Sequence, residues 1–157
     1  MPSTSYSLSQ IGWSHSFQQQ LCLAELESTI PARVSAVHRN RIDLICKRGN
    51  LNISLPGSWL TKEGEERPTI GDWLLLDTES HQPQRLLERK SLFSRRAAGI
   101  DARVQLIAAN IDTLFIVTSC NQDFNLSRLE RYLALALEAD VSPVLVLTKT
   151  DLADDVS

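Results

Sequence analysis

The stretch that decides the fold is SPVLVLTKTD, residues 142–151, in which an aliphatic run ends directly in Thr148, Lys149 and Asp151. A short continuous apolar run is typical of a strand that is buried on both faces of a parallel sheet. In open α/β sheets, ligands bind beyond the carboxyl ends of the strands, where these three polar residues stand. The stretch therefore predicts a ligand-binding loop at the end of a strand.

The preceding residues supply the other parts of a βαβ unit. IDTLFIVTS, residues 111–119, has the apolar centre of a buried strand, and NLSRLERYLALALEAD, residues 125–140, has helical periodicity. Either Asn125 or Ser127 is the expected helix cap. The apolar stripe of the helix is formed by four leucines, Leu126, Leu129, Leu133 and Leu137. Nothing in residues 104–157 alone covers both faces of such a sheet, so two strands and one helix are not a finished doubly wound domain.

The tetrapeptide Thr-Lys-Thr-Asp resembles the [N/T]-K-x-D motif with which GTP-binding proteins recognise guanine. An ionised Asp151 accepts hydrogen bonds only, and guanine offers two adjacent donors, N1–H and the 2-amino group. The alkyl stem of Lys149 can lie along the base, and Thr148 can tie the loop to its neighbours. A plain polar turn, with Asp151 capping a short helix at Leu152 and Ala153, is the alternative.

The other motifs of a GTPase do not occur in the sequence. None of the six glycines begins a G-x-x-x-x-G-K-[ST] phosphate loop, and no aspartate stands three residues before a glycine, as D-x-x-G requires. The guanine motif is therefore accidental, or the order of the motifs is permuted and the others lie downstream of residue 157.

The first part of the chain has a different pattern. We expect a short helix from a cap at Ser14 to about Glu27, and then five short strands. The strand-like runs are ARVSAVHRN, RIDLICKRG, LNISLPG, WLLLDT and PQRLLERKSLF. A hairpin turn is predicted at residues 48–50, because Gly49 and Asn50 accept a positive φ. The number and spacing of the strands predict a small closed barrel of the OB-fold type.

Composition and charge narrow the class of protein. The 157 residues are 43% hydrophobic and 22% charged, which suits one domain or two small ones, and no apolar run is long enough to span a membrane. The N-terminus lacks the features of a secretory signal, and the three scattered cysteines indicate reduced thiols in a cytoplasmic protein. Residues 1–32 carry a net charge of −2, residues 33–103 of +4 and residues 104–157 of −5. The uneven charge favours two units with different partners, although ordinary solvated surfaces would explain it too.

Several stretches together resemble the N-terminal part of the RsgA (YjeQ) family of circularly permuted, ribosome-associated GTPases. They are IGWSHSFQQQ, ARVSAVHRNRIDL, TIGDWLLLD, LERKSLFSRRAAG and the segment from QLIAANIDTLFIVTS to VLVLTKTDL. The resemblance implies β plus α/β architecture: an N-terminal extension with a short helix (1–31), a five-stranded OB-fold barrel that binds RNA (32–98), and the first βαβ unit of a permuted, incomplete P-loop GTPase domain (99–157). Thr148 stands where the family usually has Asn.

The resemblance also implies partners and cofactors. The intact protein would be a monomeric cytoplasmic GTPase that binds GTP with Mg²⁺, contacts the small ribosomal subunit and its rRNA, assists late maturation of that subunit, and does not enter a membrane. Zinc is expected only in a missing C-terminal part. The nucleotide-binding residues would be Thr148, Lys149 and Asp151. The chain alone would have no catalytic residue and no activity.

Basic residues in the middle of the chain are the predicted contacts with the phosphates of folded rRNA, because aromatic stacking partners are few. They are Arg33, Arg39, Arg41, Lys47, Arg48, Arg89, Lys90, Arg95 and Arg96. The alternative is a stand-alone OB-type RNA-binding module without nucleotide binding. The genomic reading frame beyond Ser157 distinguishes the two, because only the GTPase requires a downstream phosphate loop.

Overall fold

The computed structural model describes residues 5–96, 104–120 and 124–152. The chain divides into two compact units, Met1–Asn110 and Ile111–Ser157. The first unit contains antiparallel sheet with short helices, and the second contains a parallel strand pair with one longer helix. The finer division into domains at residues 1–31, 32–98 and 99–157 stays a prediction.

The N-terminal helical segment is broken in two. A 3-10 turn at Ser9–Ile11 is followed by α1 at His15–Gln18 and α2 at Leu23–Ser28. A single helix from Ser14 to about Glu27 was therefore the wrong prediction. The break occurs because Cys22 is extended and begins α2 as its N-cap, with Glu25 accepting a hydrogen bond from the Cys22 backbone N–H.

Five antiparallel strands form the main sheet of the first unit, in the spatial order β3-β2-β1-β4-β5. They are β1 (Thr29–Val37), β2 (Arg41–Cys46), β3 (Gly49–Ser54), β4 (Trp73–Asp77) and β5 (Pro83–Leu86). A short helix, α3 (Gly57–Leu60), follows β3. No pairing of β3 with β5 occurs in the described part of the chain, so the closed barrel is not found.

Two local features differ from the sequence prediction. Cys46 pairs directly with Gly49, so the β2–β3 turn consists of Lys47 and Arg48, and Gly49 and Asn50 belong to β3. Gly49 retains the expected positive φ of 111°. The run PQRLLERKSLF contains β5 and the beginning of a separate strand, β6 (Leu92–Arg96), which pairs with β7 (Val104–Ala109).

The core lies on both sides of β4. Leu74 and Leu76 face the main apolar cluster, while Trp73 and Leu75 pack on the opposite side with Phe17 of α1. Successive residues of a strand point to opposite faces, so the four residues of β4 that are buried on one side or the other, Trp73 to Leu76, are all apolar. The other buried members of the main cluster are Ile30, Ala32, Val34, Ile42, Leu44, Cys46, Leu55 and Trp59.

The second unit has the predicted βαβ order. Strand β8 (Thr113–Ser119), helix α4 (Leu126–Glu138) and strand β9 (Ser142–Thr148) follow one another, and β8 pairs with β9 in parallel. A 3-10 turn, Thr150–Leu152, comes next. The cap of α4 is Asn125, whose side chain accepts a hydrogen bond of 2.8 Å from the Arg128 backbone N–H.

Burial in this unit is lower than the apolar pattern suggested. Phe115 is 65% exposed and Val117 62% exposed. Helix α4 packs against the two strands but does not cover these two side chains. In α4 itself only Leu129 of the predicted stripe is buried, together with Ala136, whereas Leu126 and Leu137 are exposed. None of the helices in the described residues is long and apolar enough to cross a bilayer.

Candidate functional site

The carboxyl ends of β8 and β9 lie side by side, with Ser119 opposite Thr148. The Thr148 hydroxyl donates a hydrogen bond of 3.1 Å to the Thr118 carbonyl, and the Cys120 backbone N–H donates one of 3.0 Å to the Thr148 carbonyl. The side chain and the backbone of Thr148 therefore both tie the beginning of the candidate loop to the neighbouring strand.

The chain turns sharply immediately after this anchor. Lys149 has a φ of 55°, which is uncommon for a residue with a side chain, and its side chain is exposed. Asp151 follows in the 3-10 turn and is exposed too. Within the described ranges the Asp151 carboxylate makes no hydrogen bond, so both of its oxygens are available to a ligand. Asp151 lies inside this turn and does not precede it, while Ala153, part of the alternative helix-cap interpretation, lies outside the described residues.

The described residues do not fit a bound Mg²⁺. No group of three or more His, Cys, Asp and Glu side chains comes together among them in a way that could hold a metal ion. Asp151 alone among the predicted nucleotide-binding residues carries a carboxylate. The arrangement presents an exposed hydrogen-bond acceptor, Asp151, close to the exposed side chain of Lys149, and the sequence has no phosphate loop.

The side chain of Arg33 makes hydrogen bonds within the first unit. Its guanidinium donates to the backbone carbonyls of Ile11 at 2.7 Å, Asn110 at 2.9 Å and Gly71 at 3.3 Å. It also lies 6.0 Å from the centre of the Trp73 ring. These contacts give Arg33 a structural role, and a phosphate would have to displace them.

The guanidinium group of Arg89 is also held by contacts within the first unit. Its side chain is 11% exposed and pairs with the completely buried Asp72 carboxylate through two hydrogen bonds, of 2.7 and 2.8 Å. Its other N–H groups donate to the carbonyls of Glu65 and Arg67. Lys90, the next residue, is exposed, and its ammonium lies 5.0 Å from the centre of the Phe17 ring.

The remaining basic residues are exposed but do not form one patch. Arg39 and Arg41 lie at the beginning of β2, and Lys47 and Arg48 lie at its end. A six-residue strand separates the two pairs by roughly 20 Å. Arg95 is in β6 and donates to the Gln105 side chain at 2.9 Å. The side chain of Arg96 lies outside the described part.

Sequence reasoning missed a polar cluster on the solvent face of the sheet. The His38 ring nitrogen Nε2 lies 2.9 Å from Asp43 Oδ2, and the Asn52 side-chain amide donates to Asp43 Oδ1. Hydrogen bonds from His38 first, and then from Asn52, lower the pKa of Asp43 below its ordinary value. The signal in the sequence was the polar half of the alternation in RIDLIC and GNLNIS, which places Asp43 and Asn52 on the face opposite the core.

The second half of the chain, residues 86–157, matches a family model described as RsgA GTPase. The "Small ribosomal subunit biogenesis GTPase RsgA 2" of Vibrio parahaemolyticus is 53% identical over 154 residues, covering 98% of this chain. An RsgA protein of Mesorhizobium japonicum is 47% identical over 152 residues, covering 97% of this chain. This chain belongs to the RsgA family.

Solved structures agree with RsgA membership at the level of the fold. The crystal structure of YloQ, described as a circularly permuted GTPase, superposes with a TM-score of 0.56 at 20% identity, over 81% of this chain and 43% of YloQ. YjeQ from Thermotoga maritima superposes with a TM-score of 0.58 at 20% identity, over 81% of this chain and 44% of YjeQ. The chain spans only 41% and 42% of the length of the two RsgA relatives from Vibrio parahaemolyticus and Mesorhizobium japonicum.

Proposed function

We propose that this chain is the N-terminal part of a circularly permuted GTPase that binds the small ribosomal subunit and assists its late maturation. The observation that carries the proposal is the Thr-Lys-Thr-Asp loop at the carboxyl edge of a parallel strand pair, in a chain whose relatives are named small ribosomal subunit biogenesis GTPases. Such a protein works in the cytoplasm as a monomer on its ribosomal partner.

Guanine recognition is assigned to the loop at residues 148–151. The Asp151 carboxylate accepts hydrogen bonds from N1–H and the 2-amino group of guanine, and adenine has no such pair of donors on that edge. The stem of Lys149 lies against the flat base. Thr148 keeps the loop in place through its bond to the Thr118 carbonyl, which is the task that Asn performs in most of the family.

RNA contact is assigned to the first unit, with the five-stranded sheet acting as an open OB-type surface. The proposed phosphate contacts are the exposed basic side chains of Arg39, Arg41, Lys47, Arg48, Lys90 and Arg95, together with Arg96. Arg33 and Arg89 are left out of this set because their guanidinium groups are engaged by backbone carbonyls and by Asp72. We assign this role to the domain at residues 32–98.

Hydrolysis is assigned to the intact protein. Phosphoryl transfer depends on positioning the phosphates and Mg²⁺, and the phosphate loop, the switch region and a zinc-binding part would be supplied by the rest of the longer protein. The residues of this chain would contribute specificity for the base.

Nucleotide competition on the intact protein tests the assignment of the loop. The variant Asp151→Asn should lose affinity for GTP and gain relative affinity for xanthosine triphosphate, because xanthine carries a carbonyl where guanine has its 2-amino group and the Asn amide can donate to it. A mispaired buried hydrogen bond costs about 1–3 kcal/mol, so the preference should shift by about five- to 150-fold.

Two further variants serve as controls in the competition assay. Lys149→Ala should weaken both nucleotides together, because packing of the stem does not distinguish the bases. Asp112→Asn changes an exposed aspartate at the opposite end of the strand pair and should leave both affinities unchanged. If Asp151→Asn prefers guanine over xanthine by the same ratio as the parent, the loop does not read the base.

A further inference from the structure

The polar cluster on the solvent face of β2 and β3 consists of His38, Asp43 and Asn52. Asp43 and Asn52 are opposite each other in the β2–β3 register, and His38 reaches Asp43 from the end of β1. The Asp43 carboxylate thus accepts one hydrogen bond at each oxygen. The two contacts fix the carboxylate, and the carboxylate in turn fixes the plane of the His38 ring.

This contact determines which ring nitrogen carries the proton. An ionised carboxylate can only accept, so the Nε2 that faces it must be the N–H of the neutral imidazole. Ionisation of Asp43 at neutral pH is favoured by its lowered pKa, for which the hydrogen bond from His38 is the largest cause. Nδ1 is then an acceptor with a free lone pair. The His38 side chain is 50% exposed, and Nδ1 has no hydrogen-bond partner within the described residues.

The position of His38 suggests what meets Nδ1. The His38 backbone N–H donates to the Arg41 carbonyl at 2.8 Å, which places the ring at the turn that carries the exposed Arg39 and Arg41. A nucleic-acid backbone held by these two arginines presents phosphate and ring oxygens, which accept hydrogen bonds. The ribose 2′-hydroxyl is its donor, and only RNA has it.

We propose that His38 Nδ1 accepts a hydrogen bond from a ribose 2′-hydroxyl, that Asp43 is the positioning residue that sets this tautomer, and that the cluster gives the surface its preference for RNA. The inference rests on the RNA contact proposed above and adds a specificity-determining pair to it. Arg39 and Arg41 supply charge without regard to the sugar, whereas His38 and Asp43 distinguish the sugar.

Removal of Asp43 should affect RNA binding in two ways. Removal of a carboxylate from a basic surface ordinarily strengthens binding of a polyanion. If Asp43 sets the tautomer of His38, its removal should also abolish the preference for the 2′-hydroxyl, whatever happens to the overall affinity. A change in sugar preference therefore separates the positioning role from a simple charge effect.

The test compares a synthetic hairpin of small-subunit rRNA sequence with the same hairpin carrying 2′-fluoro groups, which keep the A-form sugar but cannot donate. Binding of the two hairpins to the 157-residue chain is measured side by side in one buffer. The parent should bind the ribose hairpin about three- to tenfold more tightly, the effect of one hydrogen bond. His38→Phe and Asp43→Leu should bind both hairpins equally, and Glu63→Gln, which removes an exposed carboxylate elsewhere, should keep the preference of the parent.

Each outcome is decisive. Equal binding of the two hairpins by the parent, or a preserved preference in His38→Phe, overturns the inference while salt-dependent RNA binding leaves the proposed function standing. Absence of salt-dependent binding to either hairpin overturns the proposed RNA contact, and this inference with it. If Asp43→Leu does not fold in a denaturation control, His38→Phe, a change to a half-exposed side chain, still decides whether His38 makes the contact with the 2′-hydroxyl.

Discussion

Arg89 and Asp72 form a two-point ion pair in which the Asp72 side chain is completely buried. Arg89 Nε lies 2.7 Å from one carboxylate oxygen, and a terminal nitrogen lies 2.8 Å from the other. Asp72 Oδ2 also accepts a hydrogen bond from the Thr69 backbone N–H. A residue that looks in the sequence like one more base in a basic run is therefore part of the interior.

Replacement of Arg89 should lower the free energy of unfolding. Arg89→Gln leaves the buried Asp72 carboxylate without its cation, and loss of one partner of a buried pair costs about 3–5 kcal/mol. Lys90→Gln removes an adjacent exposed charge and should change stability by less than about 1 kcal/mol. Urea denaturation of the two variants measures the difference, and equal stability would show that the pair contributes nothing.

Gly71 should not tolerate a side chain. Its φ is +89°, and a Cβ added there would overlap the Ala109 carbonyl oxygen, which belongs to backbone. We expect Gly71→Ala to destabilise the chain by about 3 kcal/mol, from strain and displacement together. Gly64 also has a positive φ but has open space around a new Cβ, so Gly64→Ala should cost only the strain of a left-handed residue, about 1 kcal/mol. Thermal or urea unfolding that ranks the two variants in the opposite order would contradict this assignment.

Glu25 should make stability sensitive to acid. The hydrogen bond from the Cys22 backbone N–H lowers the pKa of Glu25, with a further contribution from Arg85, against an opposing effect of partial desolvation. Because the folded-state pKa is lowered, this stability is present above the ordinary glutamate value of 4.5 and is lost as the pH falls through the lowered value. Glu25→Gln should therefore flatten the acid limb of the curve of stability against pH. Glu27→Gln, at an exposed neighbour, should leave it steep, and identical limbs for Glu25→Gln and the parent would rule out the linkage.

Two basic pairs, Arg39 with Arg41 and Arg95 with Arg96, should control the salt dependence of ribosome binding. Arg39→Gln with Arg41→Gln, and separately Arg95→Gln with Arg96→Gln, should weaken binding of the intact protein to small subunits. Each double variant should reduce the slope of log K against log salt by about one for each phosphate that it no longer neutralises. Arg131→Gln, at an exposed position on α4, is the control and should retain the parent slope. An unchanged slope in both double variants would remove this surface from the RNA contact.

The 157-residue chain alone should not hydrolyse GTP. It contains residues suited to the base but no phosphate loop, and phosphoryl transfer is almost entirely a matter of positioning the phosphates. A phosphate-release assay on the purified chain should give the same rate as buffer, with the intact protein as the positive control. Turnover above buffer that survives repurification would contradict the prediction.

The sequence predicted elements whose cause is local. The period of two in RIDLIC indicated β2, and the short links around LSRLERYLALALE indicated the parallel βαβ unit, because alternation and helical spacing are set by the backbone. The loop after β9 could be located for the same reason, since strand ends determine where such loops lie.

Contacts between residues that are distant in the sequence could not be predicted from local patterns. Nothing in the local pattern indicates that the guanidinium groups of Arg33 and Arg89 face inward, because their partners are 17 to 77 residues away. The break between α1 and α2 was missed because Cys22 is an unusual helix cap. The sequence showed that nothing in residues 104–157 covers both faces of the second unit, but an apolar run does not reveal which side chains stay exposed, and these are Phe115 and Val117 among others.

Arg33 has a consequence for the order of events during synthesis. Its three carbonyl partners lie 22 residues before it, at Ile11, and 38 and 77 residues after it, at Gly71 and Asn110. A ribosome makes the chain from its N-terminus, so the hydrogen bond from the guanidinium to Asn110 can form only after residue 110 has left the exit tunnel. Contacts between residues so distant in sequence form late and slowly. The hydrogen bond between Arg33 and Asn110 therefore joins the beginning of the main sheet to the last residue of the first unit, and it can form only after that residue has been translated.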